Sequence, residues 1–448
     1  TNWLKDEKGN VYKTNLSEKI FSLCVNKFAL LDPMQMGIEM EANRAGWCDA
    51  TNGLPSMFGS GMSETFELLS LCKFAVSAFE KFADREIKIP VELNDFFKKI
   101  NKSVDNYNLE FKFWDEVSTA REEFRQKVRY TISGKTVMVK LCDLAEELKK
   151  YIDIINKGIN KAVEFGNGFC PTYIKYNATD FEILNDKRPG YPTVKVNAFE
   201  PVHVAKFLEG PAKYIRDCND SKLGLEILKK VKDSNVYDKK LKLYKTSESL
   251  KKEGIQFGRI AAFTPGWQEN ESIFLHMEYK FLLGIFESGN YKEFYEEMKN
   301  VFIPFQDPAV YGRSILENCS FLASSANPDE NLHGRGFVSR LSGSTTEVVS
   351  IWTDMFLGKT PFVYKDGKLG LKIKPMLPDF MFDENGEVEF NFLTENKVKV
   401  HNPSCDNVYD KEISYVMVDG VKFDGDTVWG EAAEAVRNGK GKNIEIFY

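Results

Sequence analysis

Histidine is scarce in this chain, with four among 448 residues, and no two are spaced as His-x-x-x-His. The eight cysteines, at positions 24, 48, 72, 142, 170, 218, 319 and 405, include no Cys-x-x-Cys pair. These two gaps remove the ligand spacing of a zinc site and give no disulfide frame. They leave reduced thiols in a cytoplasmic protein as the expectation. No apolar run approaches the ~20 residues a spanning helix needs, and no basic-apolar leader opens the sequence. Basic charge is not in excess: 60 Lys and Arg against 66 Asp and Glu give a net charge of -6. That balance argues against a nucleic-acid partner or an anionic membrane surface. Neither a Gly-x-x-x-x-Gly-Lys-Ser/Thr loop nor a Gly-x-Ser-x-Gly elbow occurs, and no internal repeat or low-complexity tract is evident. The first residue is Thr1, not Met, so processing or truncation is expected.

Aromatic residues, by contrast, are plentiful: 35 Phe, 18 Tyr and 6 Trp make 13% of the chain. Most must fill cores, and the excess suits a protein that lays flat rings against sugars. The length allows large cores and more than one domain.

Up to about residue 360 the periodic segments read as helices, with apolar residues every three or four positions. Examples are Ser63–Phe79, Asp143–Val163, Glu200–Tyr214, Ile273–Glu287, Tyr291–Val301 and Glu347–Leu357, punctuated by Gly or Pro. A short hairpin over Arg129–Val139, turning at Ser133-Gly134, is the one expected interruption. The basic run Leu228–Lys252 reads as a solvated helix face. After Pro361 the pattern alternates, as in Val388–Leu393 and Asn443–Phe447, with turn signals at Asp366-Gly367, Asn385-Gly386 and Asp419-Gly420. The expected fold is therefore mainly α: an (α/α)6-toroid-type helical domain, 1–360, then a small β-sandwich-like domain, 361–448.

Three constellations carry chemistry. In Gly46-Trp47-Cys48-Asp49-Ala50-Thr51-Asn52-Gly53, one carboxylate sits between a tryptophan and a turn. Asp49 there reads either as a turn cap or as a general acid raised by an apolar neighbour. Ser342-Gly343-Ser344-Thr345-Thr346-Glu347 fits a capping box at Ser344 and Glu347, and also an anion seat at a helix start. Arg335 and Arg340 nearby favour phosphate as that anion. His276 follows the loop Thr264–Asn270 on an apolar helix start; it reads as a core residue or as a second phosphate donor.

Taken together, these residues resemble the inverting β-glucoside phosphorylases of the cellobiose phosphorylase family. Gly46-Trp47-Cys48-Asp49-Ala50-Thr51-Asn52 is similar to the signature Asp-Trp-Asn-Asp-Gly-Leu-Asn, whose last Asp is the general acid. Gly258–Gly266 with Glu269-Asn270 and Ile273-Phe274-Leu275-His276 resembles the segment of the phosphate-binding histidine. Gly334-Arg335-Gly336 and Leu341-Ser342-Gly343-Ser344 resemble the Thr-Gly-Thr phosphate loop, with serines for both threonines. With Asp307-Pro308-Ala309-Val310-Tyr311-Gly312-Arg313-Ser314, the wording is most similar to the 1,2-β-oligoglucan phosphorylase branch. The likeness spans roughly residues 30–360. It implies catalysis by Asp49 and phosphate held by His276, Ser342, Gly343, Ser344 and Arg335. It also implies sugar contacts from Trp47, Asn52, Trp267, Glu269, Tyr311 and Arg313. Family members carry an N-terminal β-sandwich and first barrel helices that have no counterpart here, so an upstream polypeptide or a second copy of the chain is an expected partner.

The resemblance implies reversible phosphorolysis of a β-linked glucan, β-1,2 by that branch, to α-glucose 1-phosphate. Inorganic phosphate is co-substrate, with no cofactor and no metal. Phosphate is already dianionic near neutral pH and needs no base, whereas an inverting hydrolase needs a second carboxylate ~6.5–9.5 Å from the acid. Two alternatives stay open: a hydrolase or transglycosylase with Glu269 or Glu317 as base, and a non-catalytic carbohydrate-binding subunit.

Overall fold

The computed structural model describes residues 3–42, 46, 48–107, 110–185, 187–188, 190–339 and 343–448. Twelve helices are assigned among them: α1 (Leu16–Phe28), α2 (Met62–Lys81), α3 (Val91–Asp105), α4 (Glu110–Val128), α5 (Leu141–Phe165), α6 (Glu209–Cys218), α7 (Ser221–Lys232), α8 (Leu275–Glu287), α9 (Tyr291–Val301), α10 (Pro308–Tyr311), α11 (Gly343–Leu357) and α12 (Glu431–Arg437). The expected mainly-α toroid is overturned. The structure is 44% helical and 22% strand, and the described strands form seven separate sheets, a mixed α/β architecture.

The first core belongs to α1–α5. Asn15 caps α1 by accepting the Glu18 N–H at 2.9 Å. Phe21, Cys24, Val25 and Phe28 then fall on one buried stripe. In α5 the buried positions Leu141, Leu144, Ala145, Leu148, Tyr151, Ile155 and Ile159 keep the three- and four-residue spacing of an inward face. Phe28 stacks on Tyr151 with ring centroids 3.8 Å apart. The second core gathers α6–α9, the start of α10's loop and the inner face of α11 around Tyr244, Phe281, Phe294 and Tyr311. Phe66 of α2 meets Tyr214 of α6 at 6.1 Å, joining the two cores.

Three local expectations fail for physical reasons. Residues 200–203, read as the start of a helix over Glu200–Tyr214, instead end the strand Thr193–His203, antiparallel to Tyr173–Asn185. The strand's β-branched Thr193, Val194 and Val196 favour the pleat over the helix, and α6 begins only at Glu209. The 129–139 hairpin does not form. Thr131–Ile132 pairs in parallel with Lys5–Asp6, and Thr136–Lys140 takes the longer antiparallel match offered by Glu86–Pro90. The basic run is helical only to Lys232 and continues as turns and short strands.

Beyond Pro361 lie two sheets. Phe362–Lys365, Lys368–Leu371 and Val428–Trp429 make one; the other has five strands, with Asn443–Phe447 third in its order. Both enclose a core that includes Leu371, Val398, Val416 and Ile446. Asp366-Gly367 and Asp419-Gly420 turn with φ positive at both residues, as tight hairpins of this kind require. The turn between Glu387–Phe392 and Asn396–His401 is made by Leu393 and Thr394, both at positive φ and without a local turn signal. Leu377 and Val408 reach back into the second core, and Tyr409 stacks on Tyr295 of α9 at 5.7 Å.

Candidate active site

Asp49 opens a short 3-10 turn, Asp49–Thr51, whose floor is the buried cluster Cys48, Ala50, Leu54, Tyr173, Phe207 and Phe257. The Thr51 hydroxyl donates to the Cys48 carbonyl at 2.8 Å, which closes the turn. Segment 255–260 is laced against it: Gly53 N–H donates to Phe257 O at 3.2 Å and Arg259 N–H to the Asn52 side-chain oxygen at 3.1 Å. Gly258 makes that approach possible. Its φ is +128°, and a Cβ there would stand 2.6 Å from the Ala50 carbonyl oxygen.

The side chain of Asp49 is not seated in an apolar pocket. It is 57% exposed and accepts from the Arg259 guanidinium at 2.6 Å, with Arg259 itself 53% exposed. Trp47, expected as its aromatic plate, lies outside the described residues, as does Ser342. The apolar character appears instead around Glu269. Burial raises that carboxyl above its ordinary range, the negative charge of Asp49 adds to the rise, and Arg259 opposes it. Asp49, Arg259 and Glu269 therefore form one electrostatic group, and burial lifts the neighbouring Cys48 thiol to about 12.

The second group forms where α8 meets α11. Ile273-Phe274 pairs with Phe321-Leu322, and this sets His276 in the first turn of α8. Gly343 opens α11 directly against the imidazole: a Cβ at 343 would lie 2.2 Å from His276 Cε1 and 2.3 Å from Nδ1. Only glycine fits there without displacing the ring. His276 Nε2 stands 3.3 Å from the Glu347 carboxylate. Asn318 donates to the Ser344 hydroxyl at 2.8 Å and to Thr345 Oγ1 at 3.3 Å. Helix α11 thus starts at Gly343, so Ser344 lies inside its first turn, not at a cap, and Glu347 turns to His276. Burial would raise Glu347, but the hydrogen bond from His276 and the charge of Lys280 outweigh it and hold it below the usual range. Lys280, one turn beyond His276, is itself lowered by burial and by the neighbouring Lys213 charge. A helix start, the imidazole and the Lys280 ammonium lie around the Glu347 carboxylate, which an incoming anion would have to displace from His276, while the Ser344 hydroxyl is fully buried beneath Asn318.

The remaining candidates scatter. Arg335 Nε donates to the Asn331 carbonyl at 3.0 Å on an exposed turn. Arg313 donates to the Gly336 carbonyl at 3.1 Å and pairs with Glu317 at 2.8 Å. Glu317 is held low by a hydrogen bond from Ser339, then by Arg313. Tyr311 is a core post, 1% exposed, its hydroxyl donating to Glu317 O at 2.6 Å and accepting from Cys319 N–H at 3.1 Å. Its ring is thus covered, which corrects the expectation of a sugar contact. Trp267 lies flat on Phe337 at 3.7 Å and 7°, so one of its ring faces is spent inside the protein.

Sequence reasoning left Arg259, Lys280, Asn318 and Thr345 unassigned. Lys280 had a local signal, because it lies four residues from His276 on the same helix face. Asn318 had none, since it reaches Ser344 only through the fold. No family model matches the chain, and no curated protein matches it.

Proposed function

We propose that the protein is a glycoside phosphorylase that cleaves a β-linked glucan with inorganic phosphate, β-1,2 linkages being the first to test. The observation that carries this reading is the close approach of Gly343 to His276 at the start of a 15-residue helix, with Lys280 one turn on from the imidazole. Such a seat needs no metal to hold phosphate. Once Arg259 has left it, Asp49 takes a proton from solvent and delivers it to the glycosidic oxygen while a phosphate oxygen attacks the anomeric carbon from the opposite face. The carbon–oxygen bond to the leaving sugar breaks, the new bond forms with inversion, and Asp49 is left as carboxylate. Arg259 must swing off Asp49 before that proton transfer, and sugar hydroxyls provide the incentive by replacing the guanidinium. Asn52, Glu269 and the free face of Trp267 are the sugar contacts in this reading. Trp47 and Ser342 keep their sequence-based roles, whereas Arg313 and Arg335, bonded elsewhere on exposed segments, have no part in this reading. Eight free thiols fit a reducing, cytoplasmic setting. Among the described residues no helix is long and apolar enough to cross a membrane.

A second reading is favoured by one observation: Glu269 is a raised, half-buried carboxyl within the field of Asp49. That pair could instead serve a hydrolase or transglycosylase, with Glu269 as base. Incubation with β-1,2-, β-1,3- and β-1,4-glucans, with and without phosphate, separates the two. Glucose 1-phosphate formed only with phosphate supports phosphorolysis; free reducing sugar released at full rate without it supports hydrolysis.

A further inference from the structure

A cavity of about 300 Å³ lies beside the Asp49 segment, between α1, the strand Ile38–Glu39, α2 and α4. Gly46, three residues before Asp49, forms part of its wall, together with Asn26, Glu39, Glu41, Glu64 and Arg125. Two of its three carboxylates are committed. Glu39 accepts from Arg121 at 2.7 Å and from the Trp114 indole, and Glu41 accepts from Arg125 at 2.6 Å. Glu64 is different. It stands in the first turn of α2, half-buried, and among the described residues it makes no hydrogen bond or ion pair.

The position of Glu64 is fixed by backbone. The strand Ser60–Gly61 pairs with Tyr173–Ile174 and feeds directly into α2, and Met62 N–H donates to the Thr172 carbonyl at 2.9 Å. Gly46 ties the cavity to the Asp49 segment: a Cβ there would stand 3.5 Å from Glu64 Oε1. The partly exposed carboxylate is free to accept hydrogen bonds from an incoming donor. The cavity suits a neutral polyol better than an ion. Lys27 also lines it and makes no ion pair among the described residues, so charges of both signs are offered to hydroxyls, and Leu23, Leu30 and Met40 supply apolar surface for C–H faces. Its volume is at the lower end of small-ligand pockets.

We propose that this cavity is a glycosyl subsite adjoining Asp49, in which Glu64 accepts hydrogen bonds from two neighbouring hydroxyls of one glucosyl unit. The proposal rests on the carbohydrate reading of the site, though not on phosphate being the nucleophile. Glu64 is a binding residue in it, distinct from the proton donor.

The test is calorimetric titration of a β-1,2-linked glucotriose into the whole chain without phosphate. Glu64→Gln keeps the shape and removes the charge; Asn26→Ala opens the opposite wall. Each variant is first checked by thermal unfolding, and if Glu64→Gln fails to fold, Glu64→Asp and Asn26→Ala decide. The expected result is about tenfold weaker trisaccharide binding for Glu64→Gln, with an unchanged Michaelis constant for phosphate in glucose 1-phosphate release. Asp49→Asn should keep the wild-type affinity within about twofold. Unchanged trisaccharide affinity in both cavity variants overturns the subsite and leaves phosphorolysis standing. Weakened affinity together with turnover that ignores phosphate sinks the phosphorolysis reading and leaves the subsite intact. A wild-type chain that binds no trisaccharide overturns both.

Discussion

The two groups of candidate residues are built on different principles. Where α8 meets α11, His276 is wedged against Gly343 and paired with Glu347, and Ser344 is fully buried. At the other group the Asp49 and Arg259 side chains are more than half exposed and meet in a surface ion pair. On the phosphorylase reading the first group is assembled before any ligand arrives, and the second is completed by a sugar that displaces Arg259. Preorganisation matters most where charge must be held, because donors fixed in advance cost nothing to reorganise. A proton donor that meets a large, variable substrate can be left exposed.

The largest expected effect breaks the exposed group. Asp49→Asn should lower turnover by about 10³-fold, within the range of general acid loss. Phosphate binding should stay intact, as read by titration with phosphate alone. An equal loss in Glu269→Gln would point to the two-carboxylate hydrolase.

Next comes the preassembled group. Gly343→Ala places a methyl where the imidazole lies, so the Michaelis constant for phosphate should rise about 10- to 100-fold with a smaller change in kcat. Overpacking of this kind also costs about 1–3 kcal/mol of stability, visible as a lower melting temperature.

Glu347→Gln sharpens the comparison through pH. The folded carboxyl sits below its unfolded value, so its stabilising contribution is present above the ordinary carboxylate range and is lost as pH falls through the lowered value. The Gln variant should therefore lose less melting temperature than wild type on acidification through that window. Its Michaelis constant for phosphate should rise about threefold to tenfold, from a less firmly oriented His276.

The smallest effect belongs to Arg259→Met. An exposed pair contributes little to stability, so the melting temperature should move by less than about 1 °C. Turnover should change by less than about tenfold, since only the resting partner of Asp49 is removed.

Much of the helical framework was legible locally. Helices α2, α5, α8 and α9 fall within a residue or two of their apolar periodicity, because α2, α5 and α9 each bury one face and α8 is apolar and buried nearly all round. The 173–203 hairpin was not legible. Its outer half is exposed on both faces, so no apolar alternation marks it, and register shifts near Asp180 and Ile183 break the period of two. Two-stranded segments such as Thr136–Lys140 chose partners far away in sequence, which no local pattern reveals. Those strands turn an expected helical toroid into a mixed fold. In the site, His276 and Gly343 stood out as residue types, but their contact depends on Ile273-Phe274 pairing with Phe321-Leu322. Asp49 was visible as a carboxylate in a turn, whereas its bond to Arg259, 210 residues away, was not.

The most direct measurement follows phosphorus-31 signals while the whole chain acts on a β-1,2-glucan at rising phosphate concentration. A growing α-glucose 1-phosphate resonance, with a rate that saturates in phosphate and collapses in Gly343→Ala, is the predicted result. Release of free glucose at a rate indifferent to phosphate, and equal in the two proteins, would contradict the account.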